Sequence, residues 1–289
     1  MIERIRDLTA SWNGSKLIVK WRICDVITLL IIIVLNFIFH RAKPFQRQFT
    51  IDDPTLSHPL ADIERVSGTM CWVYAMFIPL GFIGIVCFVV TERQSAAHMA
   101  FISLLALISS VFTTSFITGI LKGWIGRCRP DFLERCLPSE TALANVWYEA
   151  SDVCTTDDLA ALYDGFKTTP SGHSSVSFAG LSYTTFWIAG QLGAGVKGSD
   201  TWKSWVSSLP LFGASYIALT RTQDYRHHFV DVIIGAIIGI VFAYTYYRKY
   251  FPSLGSEASN IPMILEQFKN TDPSTLEEDA TDLELQELH

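Results

Sequence analysis

The sequence predicts an all-α integral membrane protein of about six transmembrane helices, with its functional residues gathered at one membrane face. Three observations predict this. Of the 289 residues, 49% are hydrophobic and only 17% charged, against roughly 25% charged in an average soluble protein. Several windows are apolar on every side over the roughly 20 residues needed to cross a hydrocarbon layer that offers no water to backbone groups. Three polar clusters stand at the mouths of these windows, all on the same predicted side. The composition also excludes other classes. Lys plus Arg number 22 against 28 Asp plus Glu, a net charge of −6, so no global basic field draws the phosphates of nucleic acid. Six Cys with no CxxC pair argue against a small disulfide scaffold or a structural zinc site.

Residues 1–22 form a cytosolic N-terminal segment on this reading, and the first span covers residues 24–39, with Asp25 at its edge. No small-residue cleavage site follows Phe39, so this span is expected to stay as an anchor and not to leave as a signal peptide. Windows at residues 70–90 and 99–121, separated by a short polar stretch, read as a membrane hairpin. A long polar loop, residues 122–172, leads to further windows at 174–192, 205–219 and 229–247; the fifth is the weakest, carrying Pro210 and several Ser. Residues 23–250 thus form one six-span domain, and residues 251–289 an acidic tail expected to be disordered.

An even number of spans places both termini on one side. Arg4, Arg6, Lys16, Lys20 and Arg22 before the first span, with Arg248 and Lys249 after the last, make that side cytosolic. The long loop and the connection between spans five and six then face the lumen or exterior. Cys136 and Cys154 would lie in an oxidising compartment, where they either pair or remain two free thiols. Cys24, Cys71 and Cys87 read as packing residues within spans. The one glycosylation sequon, at Asn13, falls on the cytosolic side.

The first polar cluster holds Lys122, Arg127, Arg129 and Pro130. Seven residues make almost two helical turns, so Lys122 and Arg129 are expected on one helix face, able to clamp one anion, with Pro130 ending the helix. The alternative is a basic rim snorkelling to lipid headgroups, a role that suits Arg127. The second cluster runs from Thr168 through Pro170, Ser171 and Gly172 to His173. Unpaired N–H groups at a helix start make Ser171 and Gly172 a phosphate cradle with His173 at its edge, or else a plain capping stretch.

The third cluster holds Thr220, Arg221, Asp224, Arg226, His227, His228 and Asp231. Four residues apart on a helix face, Asp231 can accept a proton from one ring nitrogen of His227. An acid about one turn inside an apolar span is costly without a partner, which marks Asp231 as functional. His228 points away as a spare, and Asp224 with Arg226 reads as a solvated loop pair. No metal-ligand spacing accompanies these residues, so no metal or other cofactor is expected.

In order, Lys122-x6-Arg129-Pro130, then Pro170-Ser171-Gly172-His173, then Arg221-x5-His227-x3-Asp231 resembles the three-part signature of the type 2 phosphatidic acid phosphatase (lipid phosphate phosphatase) superfamily. The likeness covers about residues 20–250. It implies a metal-independent membrane phosphatase in the vacuolar or plasma membrane, with a phospholipid substrate and its active site on the luminal or exterior face. Diacylglycerol diphosphate is the expected substrate, with phosphatidate and lysophosphatidate also accepted. A sphingoid-base phosphate or a polyprenyl diphosphate is the alternative. It further implies that His227 attacks phosphorus, Asp231 stabilises the imidazolium and His173 protonates the leaving group. Lys122, Arg129, Ser171, Gly172 and Arg221 would hold the phosphate. The family usually carries Ser before the third-motif Arg; here Thr220 keeps the hydroxyl, able to reach phosphate. A haloperoxidase with a similar anion pocket is opposed by the hydrophobic windows, and a transporter or a membrane scaffold would use these charges differently.

Overall fold

The computed structural model describes residue 19 and residues 21–265, the side chain of residue 94 aside. The basic residues and sequon ahead of residue 19, Lys20, and the acidic stretch from residue 272 lie outside the described residues. Six long helical segments make the bundle: α1 (Ile23–His40), α2 (Gly68–Val90), α3 (Arg93–Ile125), and, beyond three short helices α4 (Phe132–Cys136), α5 (Ala150–Val153) and α6 (Leu159–Gly165), α7 (Gly172–Leu192), α8 (Thr201–Gln223) and α9 (Phe229–Tyr250). No strand forms among the described residues, only two isolated bridges.

Four of the six, α1, α2, α3 and α9, are long and apolar enough to cross a membrane. Segments α7 and α8 have the length but are too polar to qualify by composition. For α7 the reason lies in its position: it packs most heavily on α9 and α8 and then on α3, and several polar groups are paired where it meets α3. Tyr183 Oη donates to Ser103 O (2.9 Å), Trp187 Nε1 to Ser103 Oγ (3.0 Å), Ser110 Oγ to Ala179 O (3.2 Å) and Thr118 Oγ1 to Ser175 Oγ (2.9 Å). Such matched pairs are how polar groups are carried inside a membrane bundle. By contrast α1 buries almost nothing except against α3. It is tied to the far end of α9 by Asp25, which accepts from Lys249 (2.7 Å) and Tyr250 (3.1 Å).

Glycine sets the α7–α9 crossing. A Cβ on Gly239 would stand 2.4 Å from Ser175 O, and one on Gly235 2.6 Å from Ser171 O. The four-residue spacing of these glycines lets the two backbones touch, as in small-residue membrane interfaces, and so brings the start of α9 against the start of α7.

The long loop is folded. Phe49 and Leu56 from the α1–α2 connection join Phe132, Val153, Leu162 and Phe166 in a second small core, and Cys136 and Cys154 form a disulfide within it. At the other end, residues 251–265 pack against the bundle: Ser259 Oγ donates to Gly190 O (3.1 Å), and Ile264 is buried. The tail expected from residue 251 therefore gives way to packed chain as far as residue 265, because Phe251 and Ile264 are apolar enough to join the core.

Candidate active site

The loop core and the three helix mouths enclose one cavity of about 710 Å³. Its polar end is lined by Lys122, Arg129, Gly172, His173, Arg221 and His227, joined by Glu64, Asp164, Lys167 and Arg226. Its other end, between α1, α2 and α3, is lined by Phe37, Phe39, Trp72, Met76, Phe77 and Phe112. Phe37 and Phe77 are also more than half exposed on the outside of the bundle, so the apolar end opens onto the surface that faces lipid.

Lys122 and Arg129 meet in this cavity, but not by sharing a helix face. Helix α3 stops at Ile125, and Gly126 adopts the left-handed conformation (φ 59°). A Cβ there would lie 2.0 Å from Phe45 O, so only glycine permits the turn, and the helix ends well before Pro130. Lys122, in the last turn, donates to Lys167 O. Arg129 is held by the loop core: Nε donates to Asp164 O (2.8 Å), Nη2 to Asp164 Oδ1 (2.9 Å) and Nη1 to Arg226 O (3.1 Å). Arg127, expected at the lipid headgroups, turns inward to Asp231 Oδ1 (3.3 Å).

Ser171 is the N-cap of α7, its Oγ accepting from Ser174 N (3.4 Å). Its own N–H donates to Asp231 O (2.9 Å), and Ser171 does not line the cavity. The backbone donors left for an anion are the N–H groups of Gly172 and His173, which open the helix without intrahelical acceptors. His173 lines the cavity, and its Nε2 is buried with no hydrogen-bond partner among the described residues.

His227 lies between α8 and α9 and is buried. Nε2 faces Arg129 Nη1 (3.4 Å), and Nδ1 faces Thr168 Oγ1 (3.1 Å). Burial first, then the positive charges of Arg129 and Lys122, holds its pKa well below the ordinary histidine value, which keeps the imidazole neutral and nucleophilic at neutral pH. The expected direct bond from His227 to Asp231 is not what forms. Asp231 Oδ2 accepts from Thr168 Oγ1 (2.7 Å) and from His228 N (2.9 Å), and Oδ1 accepts from Thr169 Oγ1. The cause is that His227 precedes the helix. His228, expected to be a spare, is the N-cap of α9 and forms a capping box with Asp231.

Arg221 is almost wholly buried; Nη2 pairs with Asp224 (2.7 Å), Nη1 with Glu64 (2.9 Å) and Nε donates to Thr220 Oγ1 (3.2 Å). The Thr220 hydroxyl gives its proton to Ile217 O (2.7 Å), so it orients Arg221 and does not reach for phosphate. Asp224 and Arg226 are no solvated pair. Asp224 is buried between Arg221 and Arg65, and Arg226 pairs with Glu64 (3.1 Å), Asp131 (3.2 Å) and Asp164 (3.1 Å). Asp164 is the hub that the sequence did not disclose. Burial opposes its charge, but Arg129, Arg135 and Lys122 outweigh that and draw its pKa below the usual carboxylate value. Glu64 comes from the α1–α2 connection and Asp164 from the short helix α6, with no motif around either; Thr168, in contrast, stands inside the second cluster, where its hydroxyl was the available signal.

Residues 103–254 match the PAP2 superfamily. The chain is 45% identical to diacylglycerol pyrophosphate phosphatase 1 of Saccharomyces cerevisiae, over 93% of this chain and 92% of that protein. It is 35% identical to the probable diacylglycerol pyrophosphate phosphatase 1 of Schizosaccharomyces pombe (86% and 88% covered) and 31% identical to lipid phosphate phosphatase 2 of Arabidopsis thaliana (81% and 79% covered). No solved structure matches the chain.

Proposed function

This chain belongs to the PAP2 superfamily, and from that premise we propose that it is a membrane lipid phosphate phosphatase that removes the terminal phosphate of diacylglycerol diphosphate and also accepts phosphatidate and lysophosphatidate. The observation that carries this reading is the continuous cavity that joins a cationic, two-histidine pole to an apolar slot opening between lipid-facing helices. A substrate whose phosphate lies at the headgroup plane and whose tails stay in lipid fits both ends at once; a free sugar phosphate fits one.

In the proposed reaction, Nε2 of His227 attacks the terminal phosphorus in line as the bond to the leaving oxygen breaks. His173 gives that oxygen its proton, and water then releases phosphate from the phosphohistidine. Arg129, Lys122 and Arg221, with the N–H groups at the start of α7, hold the charge of the transition state. Ser171 serves by capping that helix, and Asp231 steadies the imidazolium without touching it.

We assign the active site to the luminal or exterior face of a six-span protein in the vacuolar or plasma membrane. The Cys136–Cys154 disulfide beside the site favours an oxidising compartment, and Arg248 with Lys249 at the opposite end of α9 favours a cytosolic location there.

The test is phosphate release by detergent-purified protein in EDTA, wild type beside His227→Ala, on a panel of diacylglycerol diphosphate, phosphatidate, a sphingoid-base phosphate and a polyprenyl diphosphate. Diacylglycerol diphosphate is expected to show the highest kcat/KM, and His227→Ala to lose orders of magnitude with unchanged expression. A higher kcat/KM on another lipid would overturn the substrate assignment.

A further inference from the structure

We propose that Thr168 is a positioning residue for this reaction: its hydroxyl couples Asp231 to His227 and fixes the imidazole in the tautomer whose Nε2 lone pair faces the phosphate pocket. The inference rests on the phosphohistidine reading above and adds a residue to it.

The available protons fix the tautomer. A threonine hydroxyl has one proton and two lone pairs, whereas an ionised carboxylate only accepts. Thr168 Oγ1 stands 2.7 Å from Asp231 Oδ2, so its single proton goes there. The same oxygen, 3.1 Å from His227 Nδ1, must then be the acceptor, and Nδ1 must carry the ring proton. Nε2 is left bare. The opposite side of the ring reaches the same answer independently: Arg129 Nη1, 3.4 Å from Nε2, can only donate, so Nε2 must accept.

Asp231 has no capacity to do this directly. Oδ2 also takes His228 N and faces His228 Nδ1 (3.2 Å), and Oδ1 takes Thr169 Oγ1 and Arg127 Nη1. With Thr168 these make four donors, enough to fill a carboxylate's roughly four lone-pair sites; His228 Nδ1 accepts from Asp231 N in the capping box and is not a fifth. Thr168 itself is fully buried, and its N–H is bonded to Arg127 O (3.3 Å), so the hydroxyl has a fixed origin. As the Nε2–P bond forms and the P–O electron pair departs with the leaving oxygen, the proton on Nδ1 stays in place. The imidazolium charge meets the carboxylate through the hydroxyl, and no proton leaves the chain of three.

The experiment compares Thr168→Val, Thr168→Ser, Asp231→Asn and the double variant Thr168→Val/Asp231→Asn in full-length protein. Readouts are kcat, KM, the pH dependence of kcat/KM and the thermal unfolding midpoint. Thr168→Val is expected to lower kcat about 10²- to 10³-fold with KM within about threefold, and Thr168→Ser to recover to within about fivefold of wild type. In Thr168→Val the acid limb moves to lower pH, because the imidazolium loses its link to the carboxylate. The losses of Thr168→Val and Asp231→Asn should not multiply in the double variant, since both cut one chain.

Wild-type kcat in Thr168→Val, or losses that multiply, would overturn the proposal. Should Thr168→Val fail to fold, Thr168→Ala against Thr168→Ser makes the same comparison, and equal kcat in those two overturns it. A wild type inactive on every lipid phosphate would refute the functional reading alone. The tautomer is then read by nitrogen NMR of His227, with a proton on Nδ1 expected in wild type and its absence decisive against the coupling.

Discussion

Replacing Arg129 by Lys keeps a positive charge at the site and removes the planar fork that aims it. In the structure Arg129 is 6% exposed, and its guanidinium spends Nε and Nη2 on Asp164 and one N–H of Nη1 on Arg226 O, which leaves Nη1 beside His227 Nε2. A lysine ammonium cannot make this set of bonds, so the charge-assisted donor aimed at the attacked phosphate is lost or misplaced. Losing one such preorganised donor costs about 2.7–4 kcal/mol of transition-state stabilisation, or about 10²- to 10³-fold in kcat. Phosphate release from diacylglycerol diphosphate by purified Arg129→Lys measures this, with vanadate inhibition reporting ground-state anion binding. Arg65→Lys is the control: that side chain is 53% exposed and does not line the cavity, so a change under about threefold is expected. If Arg129→Lys keeps kcat/KM and vanadate affinity within about threefold of wild type, the guanidinium does not touch the reacting phosphate and the reasoning fails.

The depressed pKa of His227 has a definite sign. The free imidazole stays neutral as pH falls through about 6.5, so the acid limb of kcat/KM should lie below that value, and a limb above it would contradict the assignment. The same shift makes the folded state bind fewer protons than the unfolded chain below about pH 6.5, so stability is expected to decline with acid from there, as thermal unfolding against pH would reveal. Gly239→Leu forces a side chain into a site where even a Cβ stands 2.4 Å from Ser175 O. The α7–α9 crossing should open and cost about 1–3 kcal/mol or more, seen as a lower unfolding midpoint together with lost activity; an unchanged midpoint would refute the close approach. Cys136→Ser opens a cross-link between residues 18 apart and is expected to destabilise the loop core by about 3 kcal/mol, which dithiothreitol should reproduce in the wild type and not in the variant.

Much of this was legible in the residues because membrane burial and phosphate binding leave strong marks. Apolar windows gave the helices α1, α2, α3 and α9, and the three spaced clusters named most of the groups that line the polar end of the cavity. What stayed hidden depended on chain geometry beyond helical periodicity. Lys122 and Arg129 were expected on one helix face, but a left-handed Gly126 ends α3 between them and the loop core carries Arg129 back. His227 and Asp231 have helical spacing, yet only Asp231 is in the helix, and this makes room for Thr168. Arg226 and Asp224 looked like solvated loop residues because their partners, Glu64, Arg65, Asp131 and Asp164, come from distant connections that pair only after folding. Helix α7 reads as a span although its Ser and Thr content is poor for one; several of those hydroxyls are satisfied by α3, by α9 and by its own backbone carbonyls.

The central claim is that an imidazole of this chain is transiently phosphorylated, and trapping tests it most directly. Wild-type protein mixed with diacylglycerol diphosphate labelled in its terminal phosphate, quenched in alkali within a turnover and digested, is predicted to carry an alkali-stable, acid-labile label on the peptide containing His227, absent from His227→Ala. Product formation at the wild-type rate with no labelled protein at any quench time, or a label on a different residue, would contradict it.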